Sequence, residues 1–319
     1  MPSCRTAFQG YSVKFSPFEE GKVAVATAQN FGIIGNGKQY VLAMAPDGSG
    51  LREWRVFDTV DGLYDCAWSE ENENILVSAS GDGSIKAWDL AAPPQANPLR
   101  SLEEHTHEVY SLNWNTIKRD CFLSASWDDS VKLWNLRSPH SLRTFTGHTY
   151  CVYAAQWYVV NPREADVFLS ASGDCTVKIW DLRQPAPTLS LAAHKHEVLT
   201  ADWCKYNDCI IATGSVDKSI KIFDVRMPQK ELAVLLGHTY AVRRVVFSPF
   251  APTVVASCSY DMSVRLWDYA APNPMLRVWG HHSEFAVGLD FSTLQEGVMA
   301  SCGWDETTYI WQQSENPMP

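Results

Sequence analysis

Short runs of alternating apolar and polar residues recur along nearly all of this 319-residue chain, separated by clusters of Gly, Asp, Asn and Ser. Alternation with a period of two predicts half-buried β-strands, and the clusters predict tight turns. In one stretch, Tyr150 to Trp157 reads as an inner strand and Val167 to Ser172 as a second. The turn Gly173-Asp174 leads to a third strand, Thr176 to Asp181, and Thr188 to Leu191 reads as an outer fourth. The third strand returns at Ile85 to Leu90, Val131 to Leu136, Val177 to Leu182, Ile220 to Val225, Val264 to Tyr269 and Thr308 to Gln312. An aspartate precedes the aromatic of each by six residues: Asp82 and Trp88, Asp128 and Trp134, Asp174 and Trp180, Asp217 and Phe223, Asp261 and Trp267, Asp305 and Trp311. Successive aromatics stand 46, 46, 43, 44 and 44 residues apart.

A four-strand unit at that period, ending in Trp-Asp or a variant of it, is the mark of a WD-repeat β-propeller. Six units carry the mark, and a seventh precedes them. Gly10 to Pro17 (GYSVKFSP) parallels the inner strand Tyr240 to Pro249 (YAVRRVVFSP), and Lys22 to Gln29 and Gln39 to Ala45 supply two more strands around an expected Asn36-Gly37 hairpin turn. The last unit runs out at its third strand near Gln313, so Cys4 to Phe8 is expected to complete it. Pairing the two ends would remove a sheet edge open to aggregation. The reading is all-β: one seven-bladed propeller domain over residues 1–319, its ring closed by the N- and C-terminal segments.

Composition narrows the function. Apolar residues make up 46% and charged residues 19%, which suits a large buried core. The net charge of −10, with no run of Lys and Arg, argues against nucleic acid and anionic membranes and for basic partners. Nine cysteines without a CxxC pair read as reduced thiols, several of them inside predicted strands (Cys121, Cys209, Cys258, Cys302). Neither a signal peptide nor an apolar stretch of membrane-spanning length is evident.

Histidines His105, His148, His194, His238 and His282 each precede an inner-strand aromatic by nine residues. Ser78, Ser124, Ser170, Thr213, Ser257 and Ser301 each precede the unit's aspartate by four. Ser, His and Asp together resemble a hydrolase triad, but a nucleophile site would occur once, whereas this set recurs in nearly every unit. A buried structural chain through aspartate, histidine, hydroxyl and indole accounts for it better. The close pairs His105/His107, His194/His196 and His281/His282 have no acidic or cysteine ligand at metal spacing, and Gly32 to Gly37 (GIIGNG) precedes no helix that could bind phosphate. No catalytic set, metal site or cofactor site is expected, and the chain is read as a binding protein rather than an enzyme.

Aligning the inner strands on their closing aromatics places three columns at one mouth of the central channel. Four residues before the aromatic stand Tyr11, Tyr64, Tyr110, Tyr153, Leu199, Arg243 and Val287. Around that column lie Asp61, Glu108, Glu197 and Glu284, with Asp65 one position beyond Tyr64. An aromatic floor edged with carboxylates suits a peptide that carries apolar and basic side chains on one stripe.

The irregular stretches carry more than the repeat does. GYSVKFSPF (10–18), AVATAQNFGIIGNG (24–37), SASWDDSVKLW (124–134), SASGDCTVKIWD (170–181), GHTYAVRRVVFSP (237–249), SCSYDMSVRLWDY (257–269), HHSEFAVGLDFS (281–292) and GWDETTYIWQQ (303–313) resemble the receptors for the type-two peroxisomal targeting signal, peroxins of the WD-repeat family. The resemblance implies a soluble import receptor that cycles between cytosol and peroxisomal matrix. Its cargo would be matrix proteins bearing Arg-Leu, five variable residues and His-Leu near their N-terminus. It also implies a co-receptor, in plants and animals a form of the type-one signal receptor, and peroxisomal docking proteins. In a helix, Arg and His seven apart share a face with the leucines beside them. On that reading Tyr11, Tyr64, Tyr110 and Tyr153 support the apolar stripe, and Leu199 also belongs to the peptide-binding set. Asp61, Asp65, Glu108, Glu197 and Glu284 hold the basic groups, and Arg243 neutralises an acid or meets peptide carbonyls. The ending Asn316-Pro317-Met318-Pro319 is neither a Ser-Lys-Leu address nor a prenylation box, so entry is expected to be by carriage with partners.

Two rival binding readings stand beside this one. WNLR (134–137), WDLR (180–183) and FDVR (223–226) resemble the box by which propellers dock, as substrate adaptors, onto cullin-type ubiquitin ligases. An acidic face would also serve a histone-tail scaffold.

Overall fold

The computed structural model describes residues 1–45 and 50–314; the terminal tetrapeptide weighed above lies outside them. Seven four-stranded antiparallel sheets are present. Their inner strands are Gln9–Phe15, Leu63–Trp68, Val109–Trp114, Val152–Trp157, Val198–Trp203, Val242–Phe247 and Ala286–Phe291. Each packs on the next, and the seventh packs on the first, so the blades close a ring. Closure is made by Ser3–Arg5, which pairs with Thr307–Gln312 through Ser3↔Tyr309, Cys4↔Thr308 and Arg5↔Thr307. The closing strand begins one residue earlier and ends three earlier than expected. Thr6 N still donates to Glu306 O at 2.7 Å, and its hydroxyl donates to the Phe8 carbonyl at 2.8 Å.

Between neighbouring blades the inner strands are tied by side chains that accept main-chain N–H groups. Asp65 takes Leu112 N (2.9 Å), Asn113 takes Trp157 N (2.8 Å), Asp202 takes Phe247 N (2.8 Å) and Asp290 takes Phe15 N (2.9 Å). Large aromatics fill the wedges between sheets: Trp88, Trp134, Trp157, Trp180, Trp203, Trp267, Trp279 and Trp311 are all under 2% exposed or close to it.

Each WD blade carries one buried polar chain. His148 Nδ1 meets Asp174 Oδ2 at 2.7 Å, His148 Nε2 meets Ser170 Oγ at 2.7 Å, and Trp180 Nε1 meets the same Oγ at 2.8 Å. An indole N–H can only donate, so the serine accepts from it and gives its own proton to Nε2. Nδ1 then keeps a hydrogen for the carboxylate, and the imidazole is neutral. His105, His194, His238 and His282 make the same two contacts with Asp128, Asp217, Asp261 and Asp305 and with Ser124, Thr213, Ser257 and Ser301. Asp82 differs. Lys86 Nζ, at 2.8 Å, takes the place of the histidine, while Trp88 still donates to Ser78.

Burial pushes the imidazoles of His148, His194 and His238 down, against the pull of their aspartates. Burial alone would raise the Asp174 carboxyl; hydrogen bonds from Thr176 and His148 outweigh it and hold the carboxyl below its ordinary value. Both groups therefore bind fewer protons folded than unfolded, and acid destabilises the ring. The histidine contribution fades as pH falls below about 6.5, and the carboxylate contribution below about 4. The expected outcome is a melting temperature that drops from pH 7.5 to pH 5.5, with a shallower drop for His148→Ala. That variant, which takes the acceptor from the Ser170 hydroxyl and one donor from Asp174, should lose about 3 kcal/mol at neutral pH by denaturant titration. Deleting residues 2–8 opens the ring and should lower the melting temperature of the whole chain in one transition.

Candidate functional site

The inner strands share an irregularity that the sequence did not advertise. In all seven, one residue is left unpaired where the register shifts: between Gly10 and Ser12, Leu63 and Asp65, Val109 and Ser111, Val152 and Ala154, Val198 and Thr200, Val242 and Arg244, and Ala286 and Gly288. The unpaired residues are Tyr11, Tyr64, Tyr110, Tyr153, Leu199, Arg243 and Val287. This is the column aligned above. A β-bulge turns its extra side chain out of the alternation of the strand, which is how seven blades aim one residue each at the channel mouth.

Six of these seven line a cavity of about 490 Å³, together with Phe31, Gly32, Ile33, Glu108, Trp127, Glu197, Val216, Tyr260 and Trp304. The aromatics form a connected floor: Tyr11 to Tyr64 (5.2 Å between ring centres), Tyr64 to Tyr110 (5.3 Å), Tyr110 to Tyr153 (5.5 Å), and Tyr110 to Trp127 (5.3 Å). Glu108 and Glu197, both half-buried, have no hydrogen-bond or ion-pair partner for their carboxylates among the described residues. Burial pushes the Tyr64 and Tyr153 phenols up, and the neighbouring acids add to it, Asp61 and Glu108 at Tyr64 and Glu197 at Tyr153.

Three expectations change. Asp65 is fully buried, ion-paired to Arg244 (3.2 Å) and bonded to Leu112 N, so it cannot reach a ligand. The bulge at Tyr64 is the reason: it sends the next side chain between blades. Burial would raise the Asp65 carboxyl, but Arg244 and Lys14 bring it below its ordinary value. Arg243 makes no ion pair with any described acid; its guanidinium lies over the Tyr110 ring at 4.6 Å. Asn36-Gly37 is not a hairpin turn either. Gly37 pairs with Ala28, and residues 29–36 form a longer excursion opening with a 3₁₀ turn, Gln29–Gly32.

That excursion builds one wall of the mouth. Tyr11 Oη donates to Phe31 O (2.6 Å) and Tyr64 Oη to Gly32 O (2.7 Å), so these two tyrosines hold protein backbone and lie only 4% and 7% exposed. Asn30 and Phe31 take left-handed φ values of 49° and 58°, a strained state for residues with a Cβ. At Gly32, also left-handed, a Cβ would meet Tyr11 Oη at 2.7 Å and Tyr64 Cε1 at 2.8 Å. The strain presents Phe31, Ile33 and Ile34 to solvent, at 47%, 84% and 74% exposure. Asp61, which caps Gly62 N at 2.7 Å, and the exposed Glu284 lie outside the cavity wall. Sequence reasoning passed over Phe31, Ile33, Trp127, Val216, Tyr260 and Trp304; a glycine-rich insertion holding bare Ile-Ile was the available signal.

No group of His, Cys, Asp and Glu arranged to hold a metal occurs among the described residues, and the nine cysteines are free. No helix among them is long and apolar enough to cross a membrane. The arginines of the WDLR and FDVR segments are engaged locally, Arg183 on Asp181 and Arg226 on Asp224, each at 2.6 Å.

Repeats described as WD domain, G-beta repeat match residues 55–89, 96–135, 139–181, 185–224 and 229–268, more than half of the chain. With seven blades closed into a ring around this mouth, the chain belongs to the WD40 family of propellers. It is 55% identical over 112 residues to Peroxisome biogenesis protein 7 of Arabidopsis thaliana, covering 35% of each chain. It is 59% identical over 105 residues (33% of each) to the Peroxisomal targeting signal 2 receptor of Dictyostelium discoideum. To the Homo sapiens receptor of that name it is 50% identical over 103 residues, 32% of this chain and 31% of that one. The latter two carry the name of the receptor family that the sequence resembles, and the chain spans about a third of each relative's length in its match. The WD40 propeller of Doa1 superposes with a TM-score of 0.82 at 20% identity, over 99% of this chain and 96% of that one, which speaks for the fold alone.

The tyrosine pins generate a direct check. Tyr11→Phe with Tyr64→Phe should raise amide exchange across residues 29–36 at least tenfold while the rest of the ring exchanges as before. Unchanged exchange there would mean that the two hydroxyls do not hold the wall.

Proposed function

We propose that this chain is a receptor for the type-two peroxisomal targeting signal. The signal's amphipathic helix would be received in the mouth cavity, and a co-receptor would cover its outer side. The carrying observation is the cavity's chemistry: two unpaired, half-buried carboxylates, Glu108 and Glu197, beside an aromatic floor and an exposed apolar wall. A carboxylate held partly out of water without a partner is a site waiting for a cation. The basic side chains of the signal would meet Glu108 and Glu197. Its leucines would lie against Phe31, Ile33, Tyr110, Trp127 and Tyr153. Relatives named as receptors for this signal, 50% and more identical over about a third of the chain, support the assignment. A short helix covers little area, so a second chain closing over it would raise affinity by added burial. Carriage between cytosol and peroxisome, docking at the organelle and release of cargo follow from this reading.

Binding of a labelled signal peptide in the presence of the co-receptor tests it. Glu108→Lys with Glu197→Lys should weaken binding at least a hundredfold, about 3 kcal/mol, with the fold intact by circular dichroism. Glu284→Lys, outside the cavity wall, should change it less than threefold. Normal binding by the double variant would remove the mouth from cargo recognition. Capture by a ligase adaptor or histone tail, with none by the signal, would overturn the receptor reading.

A further inference from the structure

Arg243 stands apart from every other deeply buried charge in the ring. It is 2% exposed, and its Nε and Nη2 meet no acceptor. Its neighbour Arg244 is paired with Asp65, Asp202 with Lys205 (2.8 Å) and Asp224 with Arg226. Arg243 has the Tyr110 ring face at 4.6 Å and a hydrogen bond to the Tyr260 phenol, which burial pushes up and the guanidinium pulls back, but no carboxylate. A ring face repays only a fraction of the cost of stripping water from a guanidinium. The side chain also walls two spaces at once, the mouth cavity and a 150 Å³ cavity deeper in the channel that Lys14 also lines. It projects from a bulge, the position that in other blades carries the mouth tyrosines.

We propose that Arg243 is a carboxylate-binding site at the base of the mouth. The guanidinium presents two parallel N–H groups, the geometry a carboxylate matches, and a low-dielectric surround strengthens the pair. Glu108 and Glu197 weaken the binding of a lone anion without excluding it, so the carboxylate binds best on a chain whose basic groups occupy those acids. The site thus reads charge in two layers, cations at the rim and an anion beneath. This rests on the mouth receiving a peptide; the carboxylate comes either from that peptide or from the second chain that covers it.

The probe is acetate, titrated against chloride at constant ionic strength. The readouts are the Arg243 Nε–H resonance, assigned by its loss in Arg243→Lys, and the melting temperature. The wild-type resonance should shift saturably in the millimolar range, and acetate should raise the melting point. Arg243→Met should melt at or above wild type without acetate, since it sheds an unpaired buried charge, and should lose the acetate response. A shift that never saturates, or equal acetate responses in wild type and Arg243→Met, would overturn the site. Displacement of acetate by signal peptide alone assigns the carboxylate to the cargo; displacement only on adding co-receptor assigns it to the covering chain. Failure of signal peptide to bind while acetate still does would sink the receptor reading and leave the site standing. Normal peptide binding without an acetate response would do the reverse.

Discussion

The imidazole bridging an aspartate and a hydroxyl holds the rest in place. Each such histidine sits in the segment that carries the chain from the outer edge of one blade to the inner strand of the next. His105 precedes Glu108 and Tyr110, His148 precedes Tyr153, His194 precedes Glu197 and Leu199, and His238 precedes Arg243. Pinning the imidazole therefore fixes where every one of these side chains enters the mouth. Where an indole also donates to the hydroxyl, as Trp134, Trp180 and Trp267 do, each donor has one acceptor and the tautomer is fixed as well as the geometry. A scaffold that over-determines its loops can hold two carboxylates without a cation and an arginine without a carboxylate, because the surrounding blades supply the stability those groups withhold.

Where the histidines stop, the mouth changes its construction. The first blade has no such unit, and the second uses Lys86 in place of an imidazole. In that arc the wall is an eight-residue excursion, 29–36, tied down by Tyr11 and Tyr64. The ring is consequently two-sided. One side offers strained, exposed apolar side chains, and the other offers acids over aromatic rings. An amphipathic segment with a cationic edge fits that division better than any evenly charged ligand.

Period, blade number, ring closure and the repeated polar chain were legible in the sequence because each is written many times over. A feature that recurs at fixed offsets averages out local ambiguity, and Asp174, His148 and Ser170 could be understood through their counterparts. Singular features were not legible in the same way. Asp65 looked like a rim acid because it adjoins Tyr64 in the chain, whereas past the bulge its side chain is buried between blades against Arg244 and Leu112 N. Tyr11 and Tyr64 looked equivalent to Tyr110 and Tyr153, but their hydroxyls are consumed by backbone carbonyls that only the folded excursion brings near. Trp127 and Trp304 follow the second strands of their blades, outside any column drawn on inner strands.

The central claim is that the unpaired acids of the mouth select a cationic amphipathic helix. The most direct measurement is the affinity of signal peptide for wild type and for Glu108→Lys/Glu197→Lys, each titrated also with a peptide whose Arg is replaced by Glu. The account predicts that the charge-reversed receptor loses the native peptide and regains affinity for the charge-reversed one. Equal affinity of both receptors for the native peptide would contradict it.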